Sequence, residues 1–229
     1  MKILAFNGSP RKKWNTATLL RNALDGAASQ GAETELIHLY DYHYTGCRSC
    51  FACKLIGGKS YGRCALKDEL APILDKAHEA DALIFGSPIY VGNLSAGMRA
   101  FLERLFYQYA MYNDTMAFHR KIPTGFIYTM NVSQELLKLA DFGQEFLQSA
   151  AAKTFGGPVE ALNVTDTYQF DDYSKYEVTM FDVNAKKKRR EEQFPIDCQD
   201  AFDMGVRIAQ YCQKDDFSDI PMHLHPYFS

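Results

Sequence analysis

The sequence predicts an α/β protein built on a doubly wound, five-stranded parallel sheet of order 2-1-3-4-5, and three observations carry that prediction. Short apolar runs such as "KILAF" and "ALIF" alternate with stretches whose apolar residues recur every three or four positions. Strands and helices alternating at this spacing imply parallel βαβ units. The chain has 229 residues, 47% of them hydrophobic and 14% aromatic, which suits one sizeable core and a single domain over residues 1–229.

The elements follow in order. "KILAFNG" is a buried strand ending near Phe6, and Asn-Gly closes it. From Thr16, the residues Leu19, Leu20, Ala23, Leu24 and Ala27 form one face of a helix. "ETELIHL" alternates as a second strand, and a polar, Cys-rich loop runs from Asp41 to Lys67. "DELAPILDKAHEA" is the second helix, with Pro72 in its first turn, and "DALIFGSP" the third strand.

"SAGMRAFLERLFYQY" sets Met98, Phe101, Leu102, Leu105 and Phe106 on one stripe of a helix that Ser95 caps. "KIPTGFIYTM" is the fourth strand, "SQELLKLADFGQEFLQSAAAKTF" one continuous fourth helix and "GPVEALNV" the fifth strand. The core therefore covers about residues 1–164. Residues 165–195 break the rhythm as a polar, aromatic excursion, and a last helix with its tail occupies residues 196–229.

The net charge of −3 gives no global basic field, which excludes nucleic acid and membrane surfaces as the main partners and leaves a small molecule. No apolar run approaches the ~20 residues of a membrane span. The opening "MKILAFNGSP" is too short for the apolar part of a secretion signal, so a cytoplasmic protein without structural disulfides is expected.

"GSPRKKWNTATLL", between the first strand and its helix, is the first stretch that carries chemistry. It lacks the Gly-Lys-Ser/Thr of a P-loop and the three glycines of the dinucleotide fingerprint. A helix N-terminus remains, where free amides and the helix dipole meet a phosphate monoester, Ser9, Asn15, Thr16 and Thr18 add donors and Arg11 adds charge. A plain cap and turn would give the same pattern.

The second stretch, "FGSPIYVGNLSAGM", displays Tyr90 at the carboxyl end of the third strand, next to the first strand at the switch point of such a sheet. Its ring and the amides of residues 91 to 93 suit a flat heterocycle.

These two stretches, "GSPR" with "NTATLL" and "GSPIYVGNLSAGMRAFLERL", resemble the NAD(P)H-dependent FMN reductases of flavodoxin-like fold, in the branch that includes iron-sulfur flavoproteins. The resemblance covers about residues 2 to 110. It implies a non-covalent FMN with its phosphate on Ser9, Arg11, Asn15, Thr16, Ala17 and Thr18. The ring system would lie on Pro88, Ile89, Tyr90, Val91, Gly92 and Asn93, with a further edge from Thr129 to Asn131. It also implies NAD(P)H as co-substrate, a small electron acceptor such as a quinone or flavin, no side-chain acid or base, and a homodimer or homotetramer.

"CRSCFACKLIGGKSYGRC" offers Cys47, Cys50 and Cys53 in C-x2-C-x2-C, with Cys64 beyond. In the iron-sulfur flavoproteins such a set binds a [4Fe-4S] cluster, though the gap to Cys64 is longer here. Free thiols, Zn2+ or a redox disulfide remain open, and with a cluster the chain would be an electron carrier without nicotinamide turnover. Cys198 and Cys212 lie on a helical pattern as packing residues. "KKKRREE" is expected to be a solvated face, and His223 and His225 form an i, i+2 pair in the tail.

Overall fold

The computed structural model describes residues 1–113, 115–139, 143–214 and 216–220. His223 and His225 lie outside them.

Five parallel strands form the sheet: β1 (Lys2–Asn7), β2 (Glu33–His38), β3 (Ala82–Tyr90), β5 (Ile122–Thr129) and β6 (Gly156–Val164), in the order β2-β1-β3-β5-β6. This is the expected 2-1-3-4-5 order with one addition. A two-residue strand, β4 (Asn93–Leu94), folds back antiparallel on the end of β3 and raises the count to six.

Alternation along β1 puts Leu4 and Phe6 on one face and Ile3 and Ala5 on the other, and both faces are covered. The first face packs against α2 (Ala71–Glu79), α3 (Ala96–Tyr107) and α5 (Gln144–Phe155), through Phe85, Met98, Phe101, Phe126 and Phe155. The second packs against α1 (Asn15–Ser29) and α7 (Phe194–Tyr211), through Leu19, Leu20, Ala23, Ile84, Met204 and Ile208. Each of the large apolar side chains among these stabilises the fold by about 2 kcal/mol.

Two glycines let α1 and α7 touch backbone to backbone. A Cβ on Gly205 would stand 1.8 Å from the Ala23 carbonyl oxygen, and one on Gly26 2.0 Å from that of Phe202. No larger side chain fits at either position without moving a helix.

Three expectations need correction. The fourth helix is two: α4 (Gln134–Leu139) and α5 are separate, because Gly143 takes the left-handed backbone (φ 66°) ahead of α5; residues 140–142 lie outside the described part. The excursion contains its own helix, α6 (Val183–Glu192), so the last helix starts at Phe194 rather than Ile196. The run Lys186–Glu192 is not wholly a solvated face, since Lys186 is 1% exposed.

Pro72 does sit in the first turn of α2, and the Ser95 hydroxyl caps α3 by accepting from the Met98 amide. Cys198 and Cys212 pack at the edge of the second core. Among the described residues, no helix is long and apolar enough to cross a membrane.

Candidate functional site

β1 stops at Asn7, whose side chain builds the following turn. Its Oδ1 accepts from the Ser9 amide at 3.0 Å, while Nδ2 donates to the Ser9 carbonyl at 3.1 Å and to His38 Nδ1 at 2.8 Å. That bond requires a neutral His38, and burial lowers its pKa despite the opposing pull of Asp41. Ser9 Oγ then accepts from the Arg11 amide at 3.2 Å.

Gly8 joins this loop to its neighbours. Its amide donates to the Gly86 carbonyl at 2.8 Å, and its carbonyl accepts from Ser95 Oγ at 2.6 Å. A Cβ here would lie 2.6 Å from Cβ of Met98, so glycine is needed for the approach to α3.

α1 opens without a side-chain cap. The cap position holds Trp14, extended at φ −111°, and its indole has no acceptor for the first-turn amides. Helices prefer Ser, Thr, Asp or Asn there, so the donors at this end remain available to an anion. The donor set therefore fits a phosphate group.

The side chains expected to help are placed as follows. Ser9, Asn15 and Thr16 are buried, Thr18 is half-buried, and Ala17 contributes only main chain. Thr16 Oγ1 lies 2.8 Å from Thr129 Oγ1, which ties the first turn of α1 to the end of β5. Arg11 is exposed, stacked 3.7 Å over the Trp14 ring, and donates to the Gln169 carbonyl at 2.6 Å. Asn15 Nδ2 and Trp14 Nε1 both donate to the Tyr168 carbonyl, at 2.8 and 3.2 Å.

Beside this loop, β3 and β4 form a hairpin with Tyr90 opposite Asn93 and only Val91 and Gly92 between them. Both turn residues are left-handed, at φ 51° and 75°. That is the type I′ geometry a two-residue hairpin favours, yet a β-branched residue reaches it only with strain, and Val91 is fully exposed. Strain of this kind marks sites where backbone position matters.

Tyr90 is half-exposed. Partial burial pushes its phenol pKa up, Tyr40 adds to the effect and Arg11 opposes it, so the ring lies within electrostatic reach of the phosphate loop. Pro88 is buried and pairs with Thr129 across the sheet, Ile89 pairs with Leu94, and the exposed Asn93 accepts from the Leu94 amide at 2.8 Å. The Asn131 Oδ1 beyond β5 is buried with no hydrogen-bond partner among the described residues, an open acceptor where a polar ring edge was expected. The two loops and the end of β5 thus meet at one end of the sheet, joined by the Gly8–Ser95 and Thr16–Thr129 bonds.

The excursion, whose aromatics in "TYQFDDYSKY" the sequence offers as a cover for the cleft or as a dimer contact, forms a strap at this end of the sheet. Residues 166–167 are stitched to the end of β5 by bonds to the carbonyls of Met130 and Val132. The aromatic residues of the excursion pack on one another, with Phe170 stacked on Tyr176 at 3.9 Å, so its main chain is held over α1. α6 then turns three cations inward. Lys186 pairs with Asp166 at 2.5 Å, Arg189 with Asp197 at 2.8 Å, and Arg190 donates to Asn15 Oδ1 at 2.8 Å. Their i, i+3, i+4 spacing is the signal that one face of the charge run is not solvated.

The cysteine loop is organised mainly by α3, with Arg63 also paired to Asp75 on α2. Arg104, its side chain fully buried, makes a two-pronged ion pair with Asp68 at 2.5 and 3.0 Å and also reaches the Thr45 carbonyl. Gln108 Oε1 accepts from the Cys64 amide, Glu103 accepts from that of Cys47, and Lys54 donates to the Tyr107 carbonyl. Cys47, Cys50, Cys53 and Cys64 are free thiols that line one small pocket with Arg48 and Arg104. Among the described residues, no three Cys, His, Asp or Glu side chains form a group that would hold a metal ion, so the thiols as placed do not present a cluster's ligand set. A larger cleft of about 670 Å³ lies next to Cys47, between α3 and α5.

Known proteins agree with this architecture. A NAD(P)H:quinone oxidoreductase from Methanothermobacter marburgensis superposes with a TM-score of 0.62 at 15% identity, over 91% of this chain and 96% of that one. An azoreductase from Bacillus anthracis gives 0.60 at 14% identity, over 90% and 99%. Both show the shared flavodoxin-like fold.

By sequence, the chain is 40% identical over 104 residues to an iron-sulfur flavoprotein of Methanocaldococcus jannaschii, covering 45% of this chain and 51% of that protein. It is 39% identical over 104 residues to one of Archaeoglobus fulgidus, covering 45% and 48%. The chain thus spans about half the length of the curated relatives it matches. The model of the NADPH-dependent FMN reductases matches residues 1–157, a stretch that contains the phosphate loop, the strained hairpin and the cysteine loop, and the chain belongs to that family.

Proposed function

We propose that this chain binds FMN at the crevice between the phosphate loop and the β3–β4 hairpin, and works as an NAD(P)H-dependent oxidoreductase that reduces a small acceptor such as a quinone or a flavin. The observation that carries the reading is the uncapped first turn of α1, beside a hairpin held in a strained geometry with an exposed aromatic ring. Family membership supports it.

FMN, when bound, supplies the redox chemistry, taking hydride from a nicotinamide and passing electrons on. The chain's own residues bind and orient. The amides of Asn15, Thr16 and Ala17, with Ser9, Arg11 and Thr18, hold the phosphate dianion against the positive end of α1. Tyr90 and the Val91–Gly92 amides set the ring plane, Asn93 lies at its rim, and Thr129 and Asn131 present polar atoms to a further edge. No side-chain acid or base is assigned.

The visible absorption spectrum of anaerobically purified protein, before and after NADPH and then NADH, tests the proposal. A two-band flavin spectrum that bleaches with either nucleotide supports it. A colourless protein that FMN does not reconstitute overturns it.

A second reading makes the chain an electron carrier with FMN and a [4Fe-4S] cluster. The lining of one pocket by all four loop cysteines, with Arg48 and Arg104 beside them, favours it, although the thiols would first have to converge. Iron and sulfide in the purified protein, with a flavin that no nicotinamide bleaches, would select this reading. Either version extends to a cytoplasmic homodimer or homotetramer, which sedimentation of the purified protein tests for its assembly.

A further inference from the structure

We propose that Arg190 is a phosphate ligand supplied by the C-terminal segment, and that it makes the site select a phosphorylated flavin over riboflavin. The inference rests on the FMN reading above and adds a residue outside the stretch matched by the family model, which ends at residue 157.

The argument starts from α6. Its three inward cations differ in what neutralises them: Lys186 faces the Asp166 carboxylate and Arg189 that of Asp197. Arg190 has no carboxylate among the described residues. Its guanidinium lies 3.9 Å over the Phe194 ring and spends one N–H on the amide oxygen of Asn15. Burial and the neighbouring Arg189 both disfavour its charge, and Cys198 opposes them.

A half-buried guanidinium kept charged without a counter-ion is costly unless an anion joins it. Its position identifies that anion. Asn15 is the first residue of α1, at the uncapped end, and a guanidinium has five N–H donors in a rigid fork suited to phosphate oxygens. Asn15 holds the fork at the mouth of the loop, so the N-terminal amides and a cation from far along the chain converge on one dianion. The strap thereby becomes part of the cofactor site rather than a cover for it.

The test compares FMN with riboflavin, which shares the ring system and lacks the phosphate. Binding of each is followed by quenching of flavin fluorescence on titration with wild-type apoprotein, Arg190→Gln, Arg190→Lys and Lys187→Gln. Lys187→Gln removes a charge from the exposed face of the same helix. The expected result for R190Q is a loss of FMN affinity of roughly tenfold to a hundredfold with riboflavin affinity unchanged, a part of the loss being restored in R190K. K187Q should bind both flavins as wild type does.

Equal losses for FMN and riboflavin in R190Q would show that Arg190 acts only by supporting Asn15 and the loop, and would overturn the proposal. So would unchanged FMN affinity, or an equal loss in K187Q, which would mean a diffuse field. A wild-type protein that binds neither flavin overturns the FMN reading itself, and this inference with it.

Discussion

The phosphate loop and the cysteine loop both carry reactive side chains, and the fold treats them in opposite ways. At the phosphate loop, bonds arrive from β2, β3, α3, the strap and α6, and Ser9, Asn15 and Thr16 are nearly closed to solvent. At the cysteine loop nearly all of the support comes from α3, Cys50 is exposed, and Ser49 and Phe51 are left-handed beside it. The lesson concerns connectivity. A loop at the switch point of a doubly wound sheet is fixed from several directions because neighbouring strands end beside it. A long connection at the sheet's flank is only as ordered as the one helix beneath it.

Four perturbations sharpen or break that contrast. The largest effect belongs to Arg104→Ala, which strands the Asp68 carboxylate and removes the anchor of the cysteine loop. Urea unfolding should show a loss of about 3 kcal/mol, with faster amide exchange in residues 45–68, while FMN affinity stays within roughly twofold because no bond from Arg104 reaches the phosphate loop.

Gly205→Ala should do the reverse. Its new methyl group meets the Ala23 backbone, forces α1 and α7 apart, and costs about 2 kcal/mol in the same unfolding experiment. Here FMN affinity falls along with stability. If G205A left the flavin untouched, the strap would not be part of the phosphate end.

Asn15→Ala removes the side chain that links the strap carbonyl to Arg190, and FMN titration should show an affinity loss of about tenfold, some 1.4 kcal/mol. The smallest effect is in pH. His38 accepts from Asn7 only when neutral, and its pKa in the fold lies below the ordinary 6.5. Above that pH the contribution to stability is complete. As pH falls below 6.5, the unfolded chain takes up the proton more readily and stability declines. Thermal melts between pH 7 and 5 should therefore slope downward, and His38→Gln should flatten the slope in part, leaving the share of His78, whose pKa burial also lowers.

Much of this was legible in the sequence because local pattern and global fold agree. Alternating elements gave the sheet order, and two turn-rich stretches marked the two loops that meet at one end of the sheet. The failures share a cause: each depends on partners distant in sequence. Lys186 looks solvated among its neighbours, and only Asp166, twenty positions earlier, accounts for its burial. Trp14 seems a poor helix cap until the Tyr168 carbonyl is seen receiving its indole N–H. The break before α5 falls at Gly143, inside a run whose apolar residues continue on either side. Arg104 stands as one charged position among the apolar residues of its helix, though its whole side chain is buried.

The glycine contact between α1 and α7 also bears on the order in which the molecule is finished. Ala23 and Gly205 lie far apart along the chain, so closing that contact requires a long loop. Pairings of this range form late and slow folding. A nascent chain emerging from the ribosome can assemble β1, α1 and β3 early, but α6 and α7, which bond to and pack against α1, arrive only after the sheet has been made. Capture of FMN at the proposed site therefore waits for α6 and α7, and chains truncated before α7 should aggregate or be degraded rather than accumulate as flavin-loaded fragments.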